Sequence, residues 1–131
     1  VLQYKVKSVM DTAAVLMGFG VKVTYHDPNP GDAQYLNALI GNGLQFKSRA
    51  ATRVHVESAL EAGRPVLAVV NELGEGNTVM QSMVAVYAFD KEHFYYHDFP
   101  RGKQGMKAPK DSFMHAWKAA GNKSLFVERA R

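Results

Sequence analysis

The sequence predicts an α+β domain with helices packed on an antiparallel sheet. Three observations point there. Helical periodicities fall mainly in the first half of the chain, and β-branched and aromatic runs fall mainly in the second. The runs MVAVYAF and HFYYHD are separated by Asp90, Lys91 and Glu92, so they read as the two strands of an antiparallel hairpin.

The elements follow in order. VMDTAAVLMGFG places Val9, Ala13, Leu16 and Met17 on one helical face, with Gly18 and Gly20 as stop signals. VKVTYH then alternates like a strand until DPNPG breaks it. DAQYLNALIGNG is a second helix with Tyr35, Leu36 and Leu39 toward the core, and Thr52 or Arg53 to Ala62 is a third. RPVLAVVN is almost continuously apolar, the pattern of a strand buried on both faces. ELGEGNT, from Glu72 to Thr78, reads as a surface loop, and RGKQGMKAPK as a Gly- and Lys-rich excursion beyond the hairpin. DSFMHAWKAAGN reads as a helix capped by Asp111 or Ser112, burying Phe113, Ala116 and Trp117 and ending at Gly121; SLFVER is the last strand.

Composition narrows the function classes. With 131 residues the chain is expected to be a single domain spanning 1–131, long enough to bury a sizeable core. Hydrophobic residues make up 47% and charged residues 21%, with no apolar run long enough for a membrane span, so no membrane partner is expected. The formal charge of +4 is spread along the chain and not gathered into a basic stripe interleaved with aromatics, so no nucleic-acid partner is expected either. Cysteine is absent, which removes disulfides, thiolate ligands and any thiol nucleophile from these residues. VLQYKVKSV lacks a signal-peptide pattern, as expected of a mature product or of a piece whose beginning lies upstream, within a larger protein that carries further domains. The compartment stays open.

The order helix, strand, apolar strand, loop, hairpin, acid, helix and final strand resembles a known family. VMDTAAVLMGFGVKVTY, VESALEAGRPVLAVVN, MVAVYAFD, FYYHDFP and DSFMHAW are similar to the matching pieces of the papain-like cysteine peptidases of the double-glycine leader, bacteriocin-processing group, family thirty-nine. The resemblance runs from about Val9 to Val127 and implies a papain-like fold. It also implies a thiol nucleophile at the start of a long helix, a His opening the strand equivalent to MVAVYAF, and an Asp or Asn after the next strand. Such a triad needs a base to deprotonate the thiol and a third group to orient the imidazole.

Carried over position by position, the resemblance assigns Asp98 as a vestigial orienting acid, with Phe99 intervening before Pro100. It puts Ser82 at the family's His position, or Gln81 if the alignment slips by one, and Ala88 where the family has Gly. Neither Ser82 nor Gln81 can act as an imidazole base. The expectation is therefore a catalytically inactive, peptidase-like domain that binds a peptide or protein segment. Gln81, Ser82 and Asp98 would form the ligand-binding floor, and ELGEGNT and RGKQGMKAPK the rims. The alternative is a cysteine peptidase or acyltransferase whose nucleophile lies upstream of Val1 or on another chain, with a histidine such as His97 recruited as the base.

The remaining motifs have structural explanations. His97 and Asp98 are strand neighbours and point to opposite faces. His26, His55, His93 and His115 show no ligand spacing, so no metal and no cofactor are expected. GEGN lacks the Lys and Ser/Thr of a phosphate loop. Met80, Met83, Met106 and Met114 are read as core or rim packing.

Overall fold

In a computed structural model of the chain the described residues are 9–28, 33–41, 43–71, 81–98 and 101–129. VMDTAAVLMG forms helix α1 (Val9–Gly18), and VKVTYH forms strand β1 (Val21–His26). Helix α2 (Ala33–Ile40) is followed by a short strand, β2 (Gln45–Lys47), which the sequence did not signal. Helix α3 (Arg53–Glu61) starts at a capping box in which His55 replaces the usual acid. The Thr52 hydroxyl accepts from the His55 N–H at 3.3 Å, and His55 Nδ1 accepts from the Thr52 N–H at 3.0 Å. Then come β3 (Val66–Asn71), β4 (Gln81–Phe89), β5 (His93–Asp98), β6 (Lys103–Pro109), helix α4 (Lys110–Ala119) and β7 (Ser124–Arg129).

Among the described residues the seven strands form one sheet in the order β2-β1-β7-β3-β4-β5-β6. The sheet is antiparallel as expected, except that β1 and β2 run parallel at one end of the order. β3 lies in the middle and is buried on both faces, as its unbroken apolar run requires. On one face Ala68 and Val70 pack with Val84, Val86, Phe94 and Tyr96 beneath Val56 and Ala59 of α3 and Phe113, Ala116 and Trp117 of α4. On the other face Val69, Val23, Tyr25 and Leu125 meet Val9 and Ala13 of α1 and Leu36 and Leu39 of α2. Trp117, fully buried, donates its indole N–H to the Lys123 carbonyl at 3.0 Å. Gly121 at φ +104° makes that return possible, because the left-handed region ends α4 and folds the chain back beside it.

Two sequence expectations are corrected. RGKQGMKAPK is not an excursion: Lys103–Pro109 is β6, the outer strand of the order, paired with β5. Its Lys, Gln and Gly residues face solvent and only Met106 and Ala108 turn inward, which is how an edge strand hides its alternation. Helix α4 is not capped by Asp111 or Ser112. Its N-cap is Pro109, which makes no side-chain cap bond, and the Lys110 N–H donates to the Glu92 carbonyl at 2.9 Å. The hairpin turn thus satisfies one of the first-turn donors that the helix itself leaves unpaired. ELGEGNT, Tyr35 and Met80 lie outside the described residues or side chains.

Candidate functional site

Alternation along the hairpin builds the site. In β4 the inward residues are Ser82, Val84 and Val86, with Gln81 exposed on the other side; in β5 they are Phe94, Tyr96 and Asp98. The register sets Ala85 opposite His97 and Val86 opposite Tyr96, so Ser82 lies two residues past the position facing Asp98, on the same side of the sheet. Ser82 and Asp98 are 6% and 7% exposed.

Between them stands Arg101. Its Nε donates to Ser82 Oγ at 3.1 Å and lies 3.4 Å from Asp98 Oδ2. This residue was missed by sequence reasoning. Its one trace in the sequence is the spacing Asp-x-x-Arg, which sets a cation three residues beyond the carboxylate. The cluster borders a cavity of about 40 Å³, completed by Val70, Asn71, Tyr96, Lys103 and Met106. Asp98 Oδ1 and Asn71 Oδ1 are buried there with no hydrogen-bond partner among the described residues. Burial, and next the Asp98 charge, push the Tyr96 phenol up, so it stays protonated at neutral pH.

His97 takes no part in this cluster. Its ring stacks on Tyr87 with centroids 4.4 Å apart at 16°, and its Nδ1 accepts from the Gly105 N–H at 3.0 Å, on the sheet face away from Asp98. The recruitment of His97 as a base is therefore contradicted by geometry, and no histidine among the described residues lines the cavity. Gln81, proposed as part of the floor, points out of it. Arg101 cannot replace an imidazole, because a guanidinium keeps its proton throughout the physiological range. Among the described residues the arrangement can hold charge and donate or accept hydrogen bonds.

The other histidines are dispersed. His93 Nδ1 lies 3.4 Å from Asp90, and His26 and His55 face each other with centroids 6.0 Å apart. Among the described residues no group of three His, Asp or Glu side chains is placed to hold a metal, and no helix is long and apolar enough to cross a membrane.

No protein-family model matches the chain, and no curated protein matches it. Among solved structures the chain is similar to a crystal structure described as a C39-like peptidase from Bacillus anthracis, at 20% identity and a TM-score of 0.49. The likeness covers 63% of this chain and spans half the length of that one. What the coordinates define is an α+β domain, with helices on both faces of a mixed sheet and a Ser82–Arg101–Asp98 cluster on its hairpin.

Proposed function

We propose that this chain is a papain-like, peptidase-like domain that holds an extended peptide or protein segment without thiol catalysis. The observation that carries this reading is Arg101, which spans Ser82 and Asp98 where a catalytic imidazole would have to stand. A permanent cation there ties up the acid and supplies no general base. The order of elements from α1 to β7, with the acid after the hairpin, supports the papain-like part.

The polar atoms of the cavity support a peptide as the occupant. Ser82 Oγ accepts from Arg101 and keeps its own proton to donate, while Asp98 Oδ1 and Asn71 Oδ1 are acceptors. A donor beside two acceptors complements the C=O and N–H of a peptide unit, and a cavity of about 40 Å³ admits such a unit but not a large side chain.

The test is to incubate the purified chain with a diverse peptide library and read the retained and soluble fractions by mass spectrometry. Intact peptides should be enriched, and retention should drop about tenfold in Asp98→Asn, the loss of one charge-assisted hydrogen bond. Time-dependent cleavage, or retention indifferent to Ser82 and Asp98, overturns the reading.

A further inference from the structure

A second cleft, of about 310 Å³, opens between β1, the end of β2, α3 and β7. Its size falls in the range of small-molecule sites. Its walls carry Lys47, Arg49 and Arg64 against a single carboxylate, Glu128, which pairs with Arg64 at 3.4 Å. No ion pair joins Lys47 or Arg49 to a carboxylate among the described residues. An excess of cations in a concave, partly apolar site attracts an anion of matching size.

Two histidines sharpen the chemistry. His55 spends Nδ1 on the Thr52 N–H, which leaves the neutral ring's proton on Nε2 as a donor. His26 is 6% exposed, lies against the Phe126 ring at 4.9 Å, and has a buried Nδ1 with no hydrogen-bond partner among the described residues. A buried ring nitrogen of this kind calls for a proton-bearing partner.

We propose that this cleft binds a small organic phosphate ester, its phosphoryl group between Lys47, Arg49 and His55 and its organic body against Phe126. A phosphate monoester has a second pKa near 6, so it can place a proton between one of its oxygens and His26 Nδ1. Sulfate has similar shape and charge but no proton to give at that pH. Arg49 adds the planar donor fork that suits phosphoryl oxygens. The site is separate from the Ser82–Arg101–Asp98 cluster and stands or falls without it.

The experiment is an NMR titration of the whole chain at pH 6 and constant ionic strength, following the imidazole signals of His26 and His55. The probes are inorganic phosphate, phenyl phosphate and sulfate. Phosphate should give saturable shifts confined to the cleft. Phenyl phosphate should bind about tenfold tighter through its ring, and sulfate about fivefold more weakly than phosphate. The double variant Lys47→Ala/Arg49→Ala, altered only at exposed side chains, should keep its amide spectrum and lose at least about tenfold in affinity. Shifts that fail to saturate, equal affinity for sulfate and phosphate, no gain from the phenyl ring, or unchanged binding in the double variant each overturn the proposal.

Discussion

Arg101 donates from Nε to Ser82 Oγ at 3.1 Å, and the same nitrogen lies 3.4 Å from the Asp98 carboxylate. Both acid and guanidinium are largely shielded from water, so the pair is held by what each would cost alone more than by what both gain together. Arg101→Met should therefore destabilise by about 2–3 kcal/mol, by leaving Asp98 buried without its counter-charge. Ser82→Ala, which removes a neutral hydroxyl and leaves the charge pair in place, should cost about 1 kcal/mol. Urea denaturation of both variants checks this. A larger loss from Ser82→Ala would mean that the arginine does not compensate Asp98.

Asp27 is fully buried and accepts from the Tyr25 hydroxyl at 2.5 Å and from Lys123 Nζ at 2.8 Å. These bonds join the end of β1 to the turn before β7. Burial first, then the hydrogen bond and the charge of Asp27, hold the Tyr25 phenol far above its usual range. The folded protein thus keeps a proton that the unfolded chain loses above about pH 10, so stability is complete below that pH and falls as pH rises beyond it. Alkaline melting curves of Tyr25→Phe should show a shallower decline above pH 10 than those of the parent. An identical decline would mean that other groups set the alkaline limit.

Much of the architecture was legible because periodicity and burial agree. Ala13, Leu36, Leu39, Phe113, Ala116 and Trp117 were placed in the core by spacing alone, and all are buried. β2 was not legible because three residues between a glycine turn and a helix show no alternation that could separate a strand from a loop. β6 was hidden by the surface chemistry of an edge strand. In the candidate site, strand alternation separated His97 from Asp98, whereas Ser82 was reached only through the family resemblance, and the structure places it on the acid's side of the sheet. Arg101 was illegible for a different reason. Its three-residue spacing from Asp98 leaves open which way a long side chain folds back, and that is decided by tertiary contacts and not by local pattern.

His26 makes the opposite pH prediction to Tyr25. Burial first, and then the charges of His55, Lys47 and Arg49, push its imidazole down to about 4, while a hydrogen bond to the Arg49 backbone resists the shift. The unfolded chain binds a proton below about 6.5 that the folded one refuses until about pH 4, so stability is present above 6.5 and is lost as pH falls through that window, by at most about 3 kcal/mol. Thermal melts between pH 4 and 7 should show this loss, and 20 mM or so of phosphate should reduce it by ligand linkage. A flat profile across the window would show that His26 titrates normally in the fold.

The last prediction concerns a cation buried beside the ends of the two hairpin strands, against Phe89 and Phe94. Lys110 is 7% exposed, with Nζ 2.7 Å from Glu57 Oε2 and over the rings of Phe89 and Phe94 at 4.7 and 5.5 Å. Glu57 is more open and has a second partner, Arg53, at 3.4 Å. The two residues of the pair are therefore not equivalent. Removing Glu57 strands an ammonium between two aromatic rings, whereas removing Lys110 leaves a carboxylate that water and Arg53 can still serve. Glu57→Ala should cost about 2–3 kcal/mol, and Lys110→Met, which fills the same space with an apolar chain, about 1 kcal/mol or less. Chemical denaturation of the two variants settles the order. If Lys110→Met proved the more damaging, the rings and not the carboxylate would be what holds the start of α4 against the hairpin.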